Sequence, residues 1–310
     1  MRILGISGGT KNGRNDCVCK EALRAAVDSG AEIEFIHLLD LDIKHCTGCR
    51  VCMANIMQGK GNGCVLKDDF DWLLDRMLDA DGIVFSIPIF ECCASGVFHT
   101  IMDRFGPRLD RGNNLMAAEN AKKSGGSMPD LRILKDKPVS YIAIGGSDWM
   151  TSVENDFAIQ SMTPMWKIID REVFQWASTL IVDEERMARV YEIGKNLAEA
   201  AKDIENAVYK GEPGVCGHCH SRQFYLRPDG MAVCGSCGIE GELKKCPSGY
   251  IFSYDSSQEL LAHDTLSGKQ KHGMDIAKNT EMEMQMMQSD KYRSRREFYK
   301  NFLKANTPVR

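Results

Sequence analysis

The sequence lacks long apolar runs, and this excludes one large class of proteins. No stretch of the 310 residues approaches the ~18 consecutive apolar residues that a membrane-spanning helix needs. The first residues, MRILGISGGT, become polar and glycine-rich after six positions, so we expect no secretory signal peptide. We therefore expect a cytoplasmic protein without a membrane partner.

The sequence also lacks an excess of basic residues. Its 39 Lys and Arg stand against 43 Asp and Glu, which gives a formal net charge of −4. Proteins that bind nucleic acids usually carry a basic patch, so we expect no nucleic-acid partner. The length suggests about two domains at roughly 150 residues each. A composition of 43% hydrophobic and 26% charged residues is that of a globular protein.

Cysteine is the residue that the chain has in excess. In a reducing cytosol, 13 cysteines predict metal or redox chemistry rather than disulfides. Eight of them fall into two groups with the spacing of ligand sets. The first group is Cys46, Cys49, Cys52 and Cys64, and the second group is Cys216, Cys219, Cys234 and Cys237.

Short apolar runs alternate with amphipathic stretches over the first two-thirds of the chain. This pattern predicts an α/β domain, with a parallel sheet covered by helices on both faces. A helix predicted from residue 183 to about 208 closes the domain, and residues 106–136, rich in Gly, Asn and Ser, are predicted to form a surface insertion. The predicted strands cover residues 2–6, 32–38, 82–88, 139–144 and 173–182.

The composition changes at Gly211. Residues 211–247 are turn-rich and cysteine-dense and predict a small metal ribbon, with a hairpin turn at 227–230. Residues 248–310 are predicted as a polar, helical C-terminal extension. Methionine fills irregular apolar gaps, so the methionines of this extension predict a packing face or a subunit contact. They are Met282, Met284, Met286 and Met287.

The second cysteine group has the pattern of a single-ion site. Two C-x2-C knuckles, fourteen residues apart, can direct four thiolates at one ion. A tetrahedral set of four sulfurs suits zinc and rubredoxin-type iron alike. The segment VCGSCG resembles zinc ribbons more than rubredoxins, so we expect structural zinc, with iron as the alternative.

The first cysteine group has the spacing C-x2-C-x2-C, with eleven residues between Cys52 and Cys64. Three thiolates this close in sequence can occupy three corners of an iron–sulfur cubane, and a later cysteine can supply the fourth. Two alternatives stay open here, a loop of reduced thiols without a cluster and a zinc site.

Three loops follow predicted strands and indicate one ligand site. The loop at 7–15 offers backbone N–H groups, hydroxyls and a helix N-terminus to an anion. It is neither a Walker A loop, since Arg14 and Asn15 replace Lys-Ser/Thr, nor a dinucleotide fingerprint. The loops at 88–96 and 145–149 also lie at carboxyl ends of parallel strands, where α/β sheets bind ligands. Phe90 and Trp149 offer surfaces beside a flat ring.

In combination these motifs resemble the NADPH-dependent FMN reductase and iron–sulfur flavoprotein family over about residues 1–200. The resemblance is carried by the loop at 7–15, by CTGCRVC…GNGCVLKDD from Cys46, and by GIVFSIPIF and IMDRFG. It implies a flavodoxin-like, doubly wound five-stranded domain over residues 1–208 that binds FMN. It also implies a [4Fe–4S] cluster on the first cysteine group.

The resemblance further implies which residues contact FMN. The first loop would hold the phosphate, the second loop would contact the ring, and the third loop would complete the site beside Trp149. The residues are Ser7, Thr10, Asn12, Arg14 and Asn15 in the first loop, Pro88, Ile89 and Phe90 in the second, and Gly145, Gly146 and Ser147 in the third.

The activity implied is that of an FMN-dependent oxidoreductase, and the assembly implied is a homodimer or homotetramer. Electrons would pass from NAD(P)H or another donor through FMN and the cluster to a small-molecule or protein acceptor. No Ser/His/Asp or metal-hydrolase pattern competes in the sequence. The alternatives are a cluster-free reductase of quinones, nitro or azo compounds, a non-enzymatic electron carrier, and a redox-responsive regulatory protein.

Overall fold

The computed structural model describes residues 1–247, 249–306 and 308, and a parallel sheet lies at its centre. Its strands are β1 (Arg2–Ser7), β2 (Glu32–His37), β3 (Gly82–Phe90), β4 (Cys93–Ala94), β5 (Pro138–Ile144) and β6 (Lys167–Phe174). Five of them run parallel in the order β2-β1-β3-β5-β6, and the short β4 pairs antiparallel with the end of β3. This order is that of flavodoxin-like sheets, so the predicted doubly wound five-stranded fold is confirmed.

Helices cover both faces of the sheet because its strands are apolar on both sides. Ile3 and Val84 pack in one hydrophobic cluster, whereas Leu4 and Phe85 pack in another on the opposite face. The helices of this domain are α1 (Arg14–Asp28), α2 (Val51–Met57), α3 (Phe70–Asp79), α4 (Gly96–Met102), α5 (Phe105–Leu109), α6 (Arg111–Ser124), α7 (Val153–Met162) and α8 (Glu184–Lys202).

The fifth parallel strand was predicted in the wrong place. It covers Lys167–Phe174 rather than residues 173–182, and residues 177–182 form a 3-10 helix after Trp176. The observed strand contains Asp170 and Arg171, which are buried and bind charged or polar partners. These charges interrupt the apolar run by which a buried strand is recognised in a sequence.

Residues 106–136 do not form the surface insertion that was predicted. Helix α6 occupies much of this segment, and its Asn114, Ala117 and Ala121 are buried. It packs against α2, in the loop region that carries the first cysteine group. Helix α8 also differs from its predicted range, since it ends at Lys202 and not near residue 208.

The cysteine-rich segment forms a separate antiparallel sheet in the order β10-β9-β8-β7. The predicted hairpin at 227–230 is present between β7 and β8. The predicted boundary at residue 247 is wrong, because it falls between β9 and β10, which pair with each other. The strands are β7 (Phe224–Leu226), β8 (Ala232–Cys234), β9 (Glu240–Cys246) and β10 (Gly249–Ser253).

The C-terminal extension is helical, as predicted. It consists of α9 (Leu266–Met287) and α10 (Asp290–Phe302), and α9 packs against α6. Two ion pairs fix α9, from Lys269 to Asp110 at 2.6 Å and from Arg50 to Glu283 at 2.7 Å. In the part of the chain that the structure describes, no helix is both long and apolar enough to span a bilayer.

Candidate functional site

A cleft of about 580 Å³ opens at the carboxyl edge of the parallel sheet, where the loops after β1, β3 and β5 meet. The meeting of these three loops follows from the parallel order of their strands, which places all their carboxyl ends at one edge. Eight of the residues predicted to bind FMN line the cleft, namely Thr10, Arg14, Asn15, Pro88, Ile89, Phe90, Gly145 and Gly146.

The first loop is organised from below by the buried carboxylate of Asp16. The Ser7 hydroxyl donates to Asp16 at 2.5 Å, and the Asn12 backbone N–H donates to it at 2.6 Å. Ser7 and Asn12 do not line the cleft, although both were predicted as phosphate contacts. Their interactions instead hold the loop in shape at the start of α1. The role of Asp16 could not be recognised in the sequence, because acidic residues in the first turn are common in helices.

The close packing of the first loop explains why glycine is required at position 9. A Cβ atom added to Gly9 would lie 2.6 Å from the Asn15 side chain. The Gly9 carbonyl is 2.8 Å from Nε2 of His37, which is buried at the end of β2. The loop is thus packed from both sides, with the N-terminus of α1 at the cleft. This arrangement fits a phosphate group, since the first N–H groups of a helix have no partner within the helix.

One polar atom in the wall of the cleft has no partner within the described structure. The Ser95 hydroxyl is buried and makes no hydrogen bond, although Ser95 stands at the N-cap of α4. Serine at this position usually accepts a bond from the helix backbone. A buried hydroxyl costs free energy unless a ligand or water satisfies it, so it fits a polar ligand in the cleft.

Exposed aromatic side chains lie on the loops that border the mouth of the cleft. Phe90 is 62% exposed and Trp149 is 59% exposed, and Trp176 is exposed in the loop after β6. Ser147 and Trp149, both predicted as flavin contacts, do not line the cleft itself. The Ser147 hydroxyl accepts from the Trp149 backbone N–H at 3.2 Å, so it shapes the third loop.

The turn between β3 and β4 is strained beside the mouth. Glu91 and Cys92 have φ values of +48° and +71°, which non-glycine residues rarely adopt. The Cys92 sulfur lies 3.1 Å from the Thr151 hydroxyl, and this contact lowers the pKa of the thiol. The turn is therefore tied to the third loop, which carries Thr151.

The second cysteine group is gathered as a single-ion site. The four sulfur atoms of Cys216, Cys219, Cys234 and Cys237 all lie within 4.8 Å of one another. The Cys216 and Cys237 sulfurs are 3.9 Å apart, and those of Cys219 and Cys234 are 3.5 Å apart. Metal–sulfur bonds of ~2.3 Å in a tetrahedron place the sulfurs roughly 3.8 Å apart, so the set fits one tetrahedral ion.

The cysteine-rich sheet packs against α7 and the third loop. The Gln223 amide donates to the Thr151 carbonyl, and the Ser236 hydroxyl donates to Asn155 at 2.7 Å. Ala158 and Met162 of α7 belong to the same hydrophobic cluster as the four cysteines. The metal site therefore supports the helix that follows the cleft's third loop.

The first cysteine group is arranged differently. Cys46 and Cys49 are exposed, and burial raises the pKa of Cys52, with the charges of Cys64 and Cys46 acting in the same direction. Among the described residues, only the second group places three or more sulfurs within 4.8 Å. The sulfur atoms of the first group are therefore not close enough together to ligate a single ion. A cubane holds its ligands further apart, because each thiolate binds a different iron.

A buried cation lies beside this group. The Arg104 guanidinium pairs with Asp68 at 2.5 Å and lies next to the Cys64 thiol. A guanidinium in this position is complementary to the negative charge of a thiolate-ligated cluster. The chemistry of the four thiols and of Arg104 fits an anionic cluster.

Comparison with known proteins identifies relatives of two kinds. Residues 1–175 match the sequence profile of the family described as NADPH-dependent FMN reductase. A solved structure named "flavone reductase" is 53% identical, covers 100% of both chains and superposes with a TM-score of 0.91.

Two further relatives are known by name. The flavone synthase cfoJ of Aspergillus candidus is 27% identical in an alignment of 302 positions that covers 91% of this chain and 91% of that protein. An iron–sulfur flavoprotein of Methanocaldococcus jannaschii is 36% identical over 108 residues, 34% of this chain and 53% of that protein.

Proposed function

Because the chain belongs to the NADPH-dependent FMN reductase family and is a flavin-dependent oxidoreductase, we propose that it reduces a planar aromatic enone of the flavone type. The electron donor in this proposal is NAD(P)H. The overall reaction balances as NAD(P)H, one proton and the enone giving NAD(P)⁺ and the saturated ketone. The observation that carries the proposal is the similarity, over the whole chain, to a protein named flavone reductase.

The names of two relatives that match nearly the whole chain support the carbon–carbon double bond of the enone as the bond that reacts. One relative is named for the synthesis of a flavone and the other for the reduction of a flavone. These are opposite directions of one redox change. The bond that such a change makes or removes is the carbon–carbon double bond conjugated to the flavone ketone. This favours an enone over a quinone, a nitro compound or an azo compound as the acceptor.

In this proposal the cleft at the carboxyl edge of the sheet holds FMN. Thr10, Arg14 and Asn15 would surround its phosphate, and the loop at 88–90 with Gly145 and Gly146 would lie along its ring. Bound there, FMN supplies two-electron chemistry between a reduced nicotinamide and an organic acceptor. Ser95 supplies a buried hydroxyl to the cofactor side of the cleft.

The aromatic mouth of the cleft supports the proposed acceptor class. Phe90, Trp149 and Trp176 present apolar, polarisable surfaces at the entrance. Offset stacking on such rings is favourable for a flat aromatic molecule and excludes water from one of its faces. Phe90 is the last residue of β3 and lines the cleft, so a ring stacked on it would lie at the cofactor.

The experiment that tests the proposal is an anaerobic turnover assay with the FMN-loaded protein. We expect NADPH oxidation coupled to loss of the flavone's conjugated absorbance, with one NADPH consumed for each saturated product identified by mass spectrometry. Phe90→Ala should lower kcat/KM for the flavone by about tenfold. Trp72→Ala, which alters an exposed ring on α3, should not.

A panel of acceptors separates the proposal from its alternatives. Rapid turnover of a quinone or an azo dye without turnover of any flavone would contradict the enone assignment and leave a reductase. Electron transfer only to a protein partner would indicate a carrier. Purified protein that takes up no FMN would overturn the flavin site itself.

We also propose that the second cysteine group binds zinc. The spacing of the four sulfurs and the resemblance of the segment to zinc ribbons support this assignment. Metal analysis of the purified protein should give about one zinc per chain. One iron per chain without acid-labile sulfide would instead identify a rubredoxin-type centre.

For the first cysteine group we propose a [4Fe–4S] cluster. Support comes from the four thiols, the adjacent Arg104 and the name of the iron–sulfur flavoprotein relative. Anaerobic purification should yield about four iron and four sulfide per chain, in addition to zinc. Protein that holds no acid-labile sulfide after anaerobic reconstitution would contradict the cluster and leave the reductase unaffected.

A further inference from the structure

Helices α9 and α10 form a C-terminal arm, residues 266–302, that the rest of the chain covers poorly. Of the arm's described residues, only Gly268 is buried. Large apolar side chains lie exposed along it, and those of α10 include Phe298, Tyr299 and Phe302. Helices gain most of their stability in proteins by packing an apolar face against a partner. The exposed aromatic face of α10 is therefore expected to pack against a partner.

The accessible surface of the whole chain is larger than that of a compact monomer. It measures 17024 Å² for a mass of 34.6 kDa. A compact monomer of this mass exposes about 13,000 Å². The excess of about 4,000 Å² is several times the ~800 Å² that each partner contributes to a standard protein–protein interface. The chain therefore has enough uncovered surface for an extensive contact with a second copy of itself.

The mouth of the flavin cleft matches α10 in its apolar character. The exposed apolar side chains of Leu39 and Phe90 line the cleft, and that of Trp149 is exposed in the loop after β5. Trp176 adds a second exposed tryptophan after β6. Exposed aromatic side chains on neighbouring loops are typical of a binding or interaction site.

The mouth and α10 also match in charge. An acidic residue is next in sequence to two of the exposed aromatic residues, as Glu91 is to Phe90 and Asp148 to Trp149, whereas Asp40 beside Leu39 already pairs with Lys11 at 2.8 Å. Helix α10 contains five basic and two acidic residues. The chain as a whole carries −4, so the chain without α10 carries −7. A basic helix with an aromatic face is complementary to an acidic mouth with exposed rings.

We propose that α10 of a second copy of this chain seats its aromatic face on the mouth of the cleft. In the resulting homodimer, each arm closes the acceptor pocket of the other protomer. Phe298, Tyr299 and Phe302 would then contact the acceptor, while Arg295 and Arg296 would face the acidic residues of the rim. The inference rests on the proposed flavin cleft. It adds that α10 of the partner protomer covers the open side of the acceptor pocket.

A photo-crosslinker at position 299 tests the contact directly. The full-length, FMN-loaded protein would carry benzoylphenylalanine in place of Tyr299, in a mixture of isotopically heavy and light chains. We expect mixed heavy–light cross-links to peptides that cover the mouth, at residues 38–40, 88–92, 146–152 or 174–182. Cross-links confined to one chain, or directed to another surface, would overturn the proposal.

Charge reversal tests the consequence for activity. Arg295→Glu combined with Arg296→Glu should convert a dimer at micromolar concentration into a monomer in sedimentation measurements. It should also raise KM for the enone by about tenfold while FMN content stays unchanged. Lys271→Glu, an exposed change on α9, should alter neither quantity.

The outcomes distinguish this inference from the proposed function. A wild-type protein that sediments as a monomer and turns over the enone would overturn the arm contact alone. A wild-type protein that binds no FMN, or that does not turn over the enone, would overturn the proposed function. A dimer that persists with unchanged KM in the charge-reversed variant would also contradict the arm contact.

Discussion

Gly9 shows how a single position controls the shape of the cleft at the carboxyl edge of the sheet. The loop passes so close to Asn15 that any side chain at position 9 would collide with it, at 2.6 Å from the added Cβ. Asn15 cannot easily move away, because its amide donates to Ser86 at 3.2 Å inside the sheet. Space at position 9 is thus a condition for the loop to keep its place at the cleft.

Gly9→Ala should weaken FMN binding by about tenfold or more, because the loop must shift away from the phosphate position. Fluorescence titration of the apoprotein with FMN measures the dissociation constant. Gly106→Ala is the control, since a Cβ at that position meets no atom within 4 Å. Unchanged FMN affinity in Gly9→Ala would place the phosphate elsewhere.

Lys137 lies at the opposite edge of the sheet and affects stability rather than function. Its side chain is buried and donates to the carbonyl oxygens of Ala80 and Leu78. Burial lowers the pKa of Lys137 to about 8, below the ~10.4 of an unfolded chain. Between these values the unfolded chain holds a proton that the folded chain has released. The lysine's contribution to the free energy of unfolding therefore rises with pH through this window.

Lys137→Met should remove this pH-dependent contribution. The stability difference between the variant and the wild type should shift in favour of the wild type by roughly 3 kcal/mol from about pH 7.5 to about pH 10.5. Urea unfolding at the two pH values measures this change. Lys135→Met, at an exposed position, should show little of it. A pH-independent difference for Lys137→Met would contradict a lowered pKa.

At the scale of elements, the edge strand β6 is attached to α8 by buried charges. Asp170 is fully buried, and Arg189 of α8 binds it through two nitrogens at 2.5 and 3.0 Å. Asn196 donates a third bond to the same carboxylate at 3.0 Å. The strand can carry a charge in the interior only because α8 supplies these partners. The sequence pattern missed the strand for the same reason.

Arg189→Met should destabilise the protein by about 3–5 kcal/mol, because it leaves the buried Asp170 without its counter-charge. Arg24→Met, which removes an exposed arginine paired with Glu21 and Asp28, should leave stability nearly unchanged. Guanidinium unfolding of both variants gives the comparison. Equal effects of the two substitutions would show that burial of Asp170 does not matter.

At the scale of the whole molecule, the cysteine-rich sheet and the α/β domain share packing. Ala158 and Met162 lie in the hydrophobic cluster of the metal site. Glu154 of α7 pairs with Arg171 of the central sheet at 3.4 Å and with Arg222 of the cysteine-rich segment at 3.2 Å. Segments joined through one core and shared ion pairs are expected to unfold together.

Cys234→Ser should therefore lower the thermal midpoint of the entire protein and abolish zinc binding. We expect one transition in the zinc-loaded protein, and faster hydrogen exchange at residues 147–156 in the variant, because the third loop loses its support. Calorimetry and hydrogen-exchange mass spectrometry measure these effects. Cys17→Ser, outside the ribbon, is the control, and two separate transitions in the wild type would contradict shared stability.

The sequence was informative wherever chemistry depends on local spacing. The two C-x2-C knuckles predicted a gathered ion site, and the pattern of strands and loops predicted a parallel sheet with a ligand site at its carboxyl edge. The flavodoxin-like strand order was implied by the family resemblance. Spacing is informative here because the ligands within each knuckle lie a fixed number of residues apart. Strands are likewise recognised by the regular spacing of their apolar residues. Local pattern was less useful at 106–136. This segment was predicted to be a surface insertion, although α6 within it buries several alanines.

The tertiary structure decided what depends on contacts between distant residues. Only the fold brings Asp16 beneath the loop, leaves the Ser95 hydroxyl without a partner, and joins the ribbon to α7. Only the fold leaves the arm uncovered. Packing and charge pairing are set by distances in space, which local sequence pattern does not encode. By itself, the sequence determined the fold class and the spacing of its cysteine groups, and the structure determined which loops meet at the cleft and which sulfur atoms are gathered.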